Sequence, residues 1–64
     1  MKTLNNKMNQ VADKIGVARL GEELEYNGFL VAYMMYLNDR KVYSSFFGEE
    51  LDELLNDLLT PLNY

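Results

Sequence analysis

The sequence predicts a small α+β domain in the order α-β-β-β-α, a three-stranded antiparallel meander with two helices packed on one face. Three observations lead to this prediction. Apolar residues recur at helical spacing at both ends of the chain, and the middle is rich in Val, Phe and Tyr. Two short polar breaks divide that middle into three segments. Helical ends around β-prone segments are typical of an α+β fold, and 64 residues predict one small domain, residues 1–64.

The first predicted element is a helix over about residues 3–15. Thr3 is its predicted N-cap, and Gly16 stands where a glycine often stops a helix. Lys14 lies in the last turn, where the helix dipole favours a positive charge. The apolar residues of this segment follow one helical stripe, which predicts that this face is buried. They are Leu4, Met8, Val11, Ala12 and Ile15.

Three strands are predicted in the middle of the chain, over about residues 18–26, 29–37 and 42–47. A helix in this region would place Asn27 and Gly28 in its interior, and it would be apolar on every side from Phe29 onward. Asn-Gly between β-prone runs instead favours a two-residue hairpin turn, and residues 38–41 favour a second hairpin. When the strands are paired about both turns, the two hairpins place the same apolar face inward, which indicates a consistent register. Only Glu22 is out of place on that face, whose predicted apolar residues are Leu20, Leu24, Tyr26, Phe29, Val31, Tyr33, Met35 and Leu37.

The last predicted element is a helix over about residues 49–59. Its apolar residues match the i, i+3, i+4, i+7, i+8 spacing of an amphipathic helix. Gly48 is the predicted N-cap, and Pro61 is predicted to end the helix. The residues on the apolar stripe are Leu51, Leu54, Leu55, Leu58 and Leu59.

The distribution of charge argues against direct binding of nucleic acid. The net charge is −4, nine of the ten acids follow residue 19, and no Lys or Arg follows Lys41. Nucleic-acid binders rely on clustered Lys and Arg to contact phosphates. The predicted element order resembles the layout of double-stranded RNA-binding domains. Those domains carry a basic cluster at the start of their second helix, where this chain has Glu49 and Glu50, so the resemblance does not imply RNA binding.

Catalytic, cofactor and metal sites are not predicted. The chain has no His and no Cys, and its four glycines form no phosphate-binding loop. We therefore expect a protein that is not an enzyme, with no cofactor and no metal. No apolar run reaches the roughly 18 residues that a membrane span needs, and the N-terminus lacks the apolar core of a signal peptide. These features predict no contact with a membrane and a cytoplasmic location.

The predicted sheet has a second apolar face that two helices on the other side would leave uncovered. Such a patch predicts a protein-binding module. We expect it to act as an inhibitor or accessory factor encoded by a phage or mobile element, with a host or phage protein, or a second copy of the chain, as partner. The predicted binding residues are Leu30, Met34, Tyr36, Tyr43 and Phe47, with Glu23 and Glu25 at the rim.

An alternative function places the activity on the acidic side chains. In this hypothesis the carboxylates imitate nucleic-acid phosphates and occupy the basic groove of a nucleic-acid-processing enzyme. Binding of that kind weakens steeply as ionic strength rises, whereas an apolar contact changes little. The residues predicted for this acidic surface are Glu49, Glu50, Asp52, Glu53 and Asp57.

Overall fold

The structure, a computed structural model, describes residues 2–60, and this part of the chain is helical. Its five helices are α1 (Asn5–Ile15), α2 (Val17–Tyr26), α3 (Leu30–Leu37), α4 (Ser44–Phe47) and α5 (Glu49–Leu59). Between residues 2 and 60 there is no β-strand, and one isolated antiparallel bridge joins Thr3 to Tyr43. The predicted α+β fold is therefore wrong. Helices α2 and α3 replace the predicted strands 18–26 and 29–37, and α4 replaces most of the strand predicted at 42–47.

The two helices at the ends of the chain lie where the sequence predicted helices. Helix α1 begins at Asn5, and Thr3 is not its N-cap because Thr3 belongs to the bridge with Tyr43. Gly16 follows α1 with φ 92°, a conformation that suits glycine. Helix α5 spans the predicted residues 49–59 and begins after Gly48. Pro61, which was predicted to end this helix, lies outside the described residues.

The Asn-Gly break that suggested a hairpin is the end of helix α2. The backbone N–H of Phe29 donates to the Leu24 carbonyl at 2.7 Å. The N–H of Gly28 donates to the Glu25 carbonyl at 3.1 Å, and Gly28 has φ 86°. These two hydrogen bonds and the left-handed residue between them form a Schellman motif, which ends many helices. The break therefore turns the chain from α2 into α3.

The second break ends helix α3 in the same way. The N–H of Arg40 donates to the Met35 carbonyl at 2.9 Å, and the N–H of Asp39 donates to the Tyr36 carbonyl at 3.1 Å. Asp39 occupies the left-handed position with φ 56°. Aspartate adopts this conformation more readily than most residues, because its short side chain can hydrogen-bond locally. A second Schellman motif thus replaces the second predicted hairpin turn.

The core lies where α1 meets α2 and α5. Helix α1 packs against α2 and α5, α2 packs against α3, and α4 packs against α5. Nine apolar side chains are almost completely buried, and most come from α1, α2 and α5. The amphipathic stripes read in α1 and α5 therefore pack against each other. The buried residues are Leu4, Met8, Val11, Leu20, Leu24, Ala32, Val42, Leu51 and Leu55.

Hydrogen bonds connect Leu4 and Asn5 to the segment between α3 and α4. The Asn5 side chain donates through Nδ2 to the Arg40 carbonyl at 2.9 Å and accepts through Oδ1 from the Val42 N–H at 2.8 Å. The Leu4 N–H donates to the Val42 carbonyl at 2.8 Å. This pairing satisfies backbone groups of a segment that has no helix of its own, and it fixes the end of α3 beside the start of α1.

Helix α3 is apolar on every side, but only one side is covered. Ala32 is fully buried, and Tyr33, Met35 and Tyr36 are half-buried against the core. An isolated helix of eight residues is unstable in water, so α3 depends on this packing. The Tyr36 hydroxyl also donates to Oδ1 of Asn9 in α1. The opposite side of α3 has no cover from residues 2–60.

Candidate functional site

The uncovered side of α3 is an apolar surface. Four large side chains lie there, and the last three follow the first by one, four and seven positions, so all four share one side of the helix. Between 44% and 63% of the surface of each is exposed. Contiguous exposed apolar surface on a small protein often marks an interaction site. We call this surface the α3 face, and it consists of Leu30, Val31, Met34 and Leu37.

An open groove of about 590 Å³ lies between α2 and α3, next to the α3 face. Leu30 belongs to both surfaces, and the exposed carboxylates of Glu22 and Glu25 give the groove an acidic wall. Volumes of this size suit a side chain or a small ligand, although this groove is open to solvent. We call it the α2–α3 groove. Its lining residues are Ala18, Gly21, Glu22, Glu25, Tyr26, Leu30 and Tyr33.

Gly21 shapes the floor of the α2–α3 groove. It is a buried residue inside α2, and the ring of Tyr33 lies directly over it. A Cβ atom at position 21 would lie 2.5 Å from Cζ and 2.9 Å from the hydroxyl oxygen of Tyr33. Glycine inside a helix costs about 1 kcal/mol relative to alanine, so its presence here accommodates the aromatic ring against the helix backbone.

The structure brings together three of the seven residues predicted for protein binding. Leu30 and Met34 belong to the α3 face, and Glu25 lines the adjacent groove. Glu23 is half-buried on α2, where its Oε2 lies 3.6 Å from Nε of Arg19. Because no sheet exists in residues 2–60, the predicted sheet face is wrong, and these residues share a helical surface instead.

Two of the three aromatic residues of the predicted binding set, Tyr36 and Phe47, pack against the core. Tyr36 is half-buried and hydrogen-bonded to Asn9. Phe47 is also half-buried, with its ring centroid 6.3 Å from that of Phe29 in an edge-to-face contact. Tyr43 makes a similar contact with Phe46 at 5.3 Å. These rings hold α3 and α4 in place, so the prediction that they form one exposed patch with Leu30 and Met34 is not realised.

The prediction missed residues that lie on the uncovered surface. The strand register placed Tyr26, Val31 and Leu37 on the face beneath the helices, whereas all three are exposed in the structure. The helical spacing from Leu30 through Met34 to Leu37 could have found Leu37. Glu22 was the one charged residue on the predicted apolar face, and in the structure it lines the α2–α3 groove.

The acidic residues of α5 do not form one uniform surface. Glu49, Glu50, Glu53 and Asp57 are exposed. Asp52 is partly buried and forms ion pairs with Lys7 and with Lys2, whose Nζ lies 2.9 Å from Oδ2. The hydrogen bond from Lys7, followed by that from Lys2, holds the pKa of the Asp52 carboxyl below its usual value of 3.8. Asp52 therefore joins α5 to the N-terminal segment, and it is less available to a partner than the other four.

Replacing Asp52 by asparagine should remove a pH-dependent contribution to stability of about 1 kcal/mol, the scale of partly exposed ion pairs. A carboxyl whose pKa is lowered by folding stabilises the protein above its unfolded pKa of 3.8, and this stabilisation is lost as the pH falls through the lower folded pKa. Urea unfolding at pH 7 and at pH 2.5 should therefore give a larger difference between the two proteins at pH 7. An equal difference at both pH values would contradict the ion-pair network.

Residues 2–60 contain no group of three or more acidic side chains placed to hold a metal ion. None of the helices described here is both long and apolar enough to cross a bilayer. The predicted cytoplasmic location stays a prediction. In comparisons with known proteins, no family model, curated protein or solved structure matches this chain.

Proposed function

We propose that this chain is a small non-enzymatic protein-binding module, and that a partner protein docks on the α3 face and the adjoining α2–α3 groove. The observation that carries the proposal is the exposure of four large apolar side chains along one side of a helix whose other side is in the core. Burying those side chains would contribute roughly 25 cal/mol for each Å² of apolar surface removed from water.

The shape of this surface favours a helix as the docking element. The α3 face presents apolar side chains from the first to the last residue of the helix, and the α2–α3 groove lies beside it. Helices pack by placing the side-chain ridges of one into the grooves of the other. An amphipathic helix of the partner would bury its apolar side chains against Val31 and Met34 and place a neighbouring side chain in the groove.

Ionic strength distinguishes this proposal from the acidic alternative. Glu49, Glu50, Glu53 and Asp57 lie on α5, whereas the α3 face lies on a helix that packs mainly against α2. Docking on the α3 face should weaken less steeply as salt is raised, because its central contact is apolar and salt screens only the charges at its margin. Imitation of nucleic acid by the α5 carboxylates would weaken steeply, because it depends on charge alone.

Site-specific cross-linking tests the proposal without knowledge of the partner. A photo-cross-linking amino acid is placed at Val31, or at Asn6 as the matched control, and the cells that express the protein are irradiated. Each position is the second residue of its helix and is exposed, but Asn6 lies on α1, outside the proposed surface. We expect a discrete protein adduct from position 31 and none from position 6.

A charge placed at the same two positions gives an independent result. Val31→Asp should lower the yield of the adduct formed by a cross-linker at Met34 at least about tenfold, because a carboxylate in an apolar contact must lose its hydration. Asn6→Asp adds the same charge at the second residue of α1 and should leave the yield unchanged. The proposal fails if position 31 gives no adduct, or if the two substitutions have the same effect.

A further inference from the structure

Exposed charged residues lie beside both ends of α3, and they are acidic at its start and mainly basic at its end. Glu22 and Glu25 line the groove beside Leu30, the first residue of the helix. Asp39, Arg40 and Lys41 follow the other end, where two bases and one acid leave a net positive charge. All five residues are exposed, and none of them forms an ion pair with another residue between 2 and 60. Helix α3 therefore has an acidic end, a basic end and an apolar face between them.

This arrangement is complementary to an antiparallel copy of itself. A helix of eight residues is about 12 Å long, so a second α3 related by a two-fold axis near Met34 would cover the whole face. Leu37 of each copy would then lie beside Leu30 of the other. The spacing of four and then three residues from Leu30 through Met34 to Leu37 is the one at which side chains of paired helices interlock.

The charges select the antiparallel direction. In that direction the basic end of each α3 meets the acidic end of the other, and the contact forms twice because of the two-fold symmetry. A parallel pair would place acidic end beside acidic end, and like charges at an interface disfavour such a pairing. Burial of the α3 face between two copies would also compensate for the small core that a chain of this length can build.

We propose that the partner docked on the α3 face is a second copy of this chain. The two copies form a two-fold symmetric, antiparallel dimer in which Arg40 and Lys41 of each chain lie beside Glu22 and Glu25 of the partner subunit. The proposal rests on the proposed function, because it names the occupant of the same surface. It predicts that the charges at the two ends of α3 recognise each other across the interface.

Exchange of the charges tests the dimer. One variant carries Arg40→Glu and Lys41→Glu, and the other carries Glu22→Lys and Glu25→Lys. Each variant alone would place like charges together at both ends of the interface, so we expect its dimer dissociation constant to rise at least about tenfold. In a 1:1 mixture the opposite charges meet again at both ends, and a mixed dimer should form. Sedimentation equilibrium measures the mass of each sample, and circular dichroism verifies that each variant is helical.

If a charge-reversed variant does not fold, the neutral double variant Glu22→Gln, Glu25→Gln replaces it in the dimerisation measurement. It should weaken the dimer without adding repulsion. The proposal is overturned if the unmodified chain sediments as a monomer at millimolar concentration, or if its dimer is insensitive to these substitutions. It is also overturned if the 1:1 mixture stays monomeric while both variants are folded.

The two proposals fail in different ways. A monomeric chain that still gives an adduct at position 31 with a different protein would overturn the dimer and leave the protein-binding function standing. A partner carrying its own basic residues would bind the Arg40→Glu, Lys41→Glu variant as well as it binds the unmodified chain. If position 31 gives no adduct at all, both proposals fall together.

Discussion

Replacing Leu24 by alanine should lower the free energy of unfolding by about 2–5 kcal/mol, whereas replacing Tyr26 by alanine should lower it by less than about 0.5 kcal/mol. The Leu24 side chain is fully buried, so its truncation removes apolar contacts and leaves a cavity. Tyr26 lies two residues further along α2, and 88% of its surface is exposed. Two residues along a helix correspond to roughly half a turn, so the side chains of Leu24 and Tyr26 lie on opposite sides of α2.

The measurement is urea unfolding followed by far-ultraviolet circular dichroism at low micromolar concentration, where a weak dimer contributes least. A domain of this size has only a few kcal/mol of stability, so a loss at the upper end of this range would leave little folded Leu24→Ala protein to titrate. Leu24→Met keeps the volume and should cost less than about 1.5 kcal/mol. A strand over residues 18–26 would place Leu24 and Tyr26 on the same face, so similar losses for the two alanine variants would contradict helix α2.

The end helices could be predicted because their sequences alternate apolar and polar residues with a single period. In α5 five leucines follow the 3.6-residue period, acids fill the first turn, and Gly48 marks the start. In α1 the same period places Met8 and Val11 in the core. The small error at the start of α1 arose because Thr3 pairs with Tyr43, a contact between residues far apart in sequence that local patterns do not reveal.

The middle of the chain was predicted wrongly because its local signals fit two structures equally well. A residue with positive φ, most often glycine, is needed both in a two-residue hairpin turn and in a Schellman motif, so Asn27 and Gly28 do not distinguish a strand end from a helix end. The agreement between the registers of the two predicted hairpins was also weak evidence for strands. Residues 29–37 are apolar at nearly every position, and such a run places an apolar face inward in any register.

The uncovered apolar surface was predicted only in part, because the prediction used the wrong backbone period. The sequence showed that this segment has more apolar surface than a small chain can bury, and the exposed α3 face agrees with that expectation. Which residues are exposed depends on the period of the backbone. The two-residue period of a strand predicted that Leu30, Met34 and Tyr36 are exposed on one face. The helical period instead exposes Leu30, Met34 and Leu37, and the Tyr36 hydroxyl hydrogen-bonds to Asn9.

Replacing Gly21 by alanine should destabilise the protein by about 1–2 kcal/mol, although alanine is the better helix former. The added methyl group would lie 2.5 Å from Cζ of Tyr33, so the ring must swing out of its place on α2. Loss of that packing outweighs the gain of about 1 kcal/mol in helix propensity. The displaced ring would also fill the α2–α3 groove, so docking on the α3 face should weaken in the same variant.

In a protein that already carries Tyr33→Ala, the effect of Gly21→Ala on stability should change sign. Without the ring over position 21 nothing opposes the methyl group, and only the gain in helix propensity is left, so Gly21→Ala should then stabilise the protein by up to about 1 kcal/mol. A double-mutant cycle over the two positions, measured by urea unfolding, isolates this coupling. Because a strand pairing would not place the ring of Tyr33 over the backbone of Gly21, independent effects at the two positions would contradict the packing of α3 on α2, and with it the groove on which the proposed docking depends.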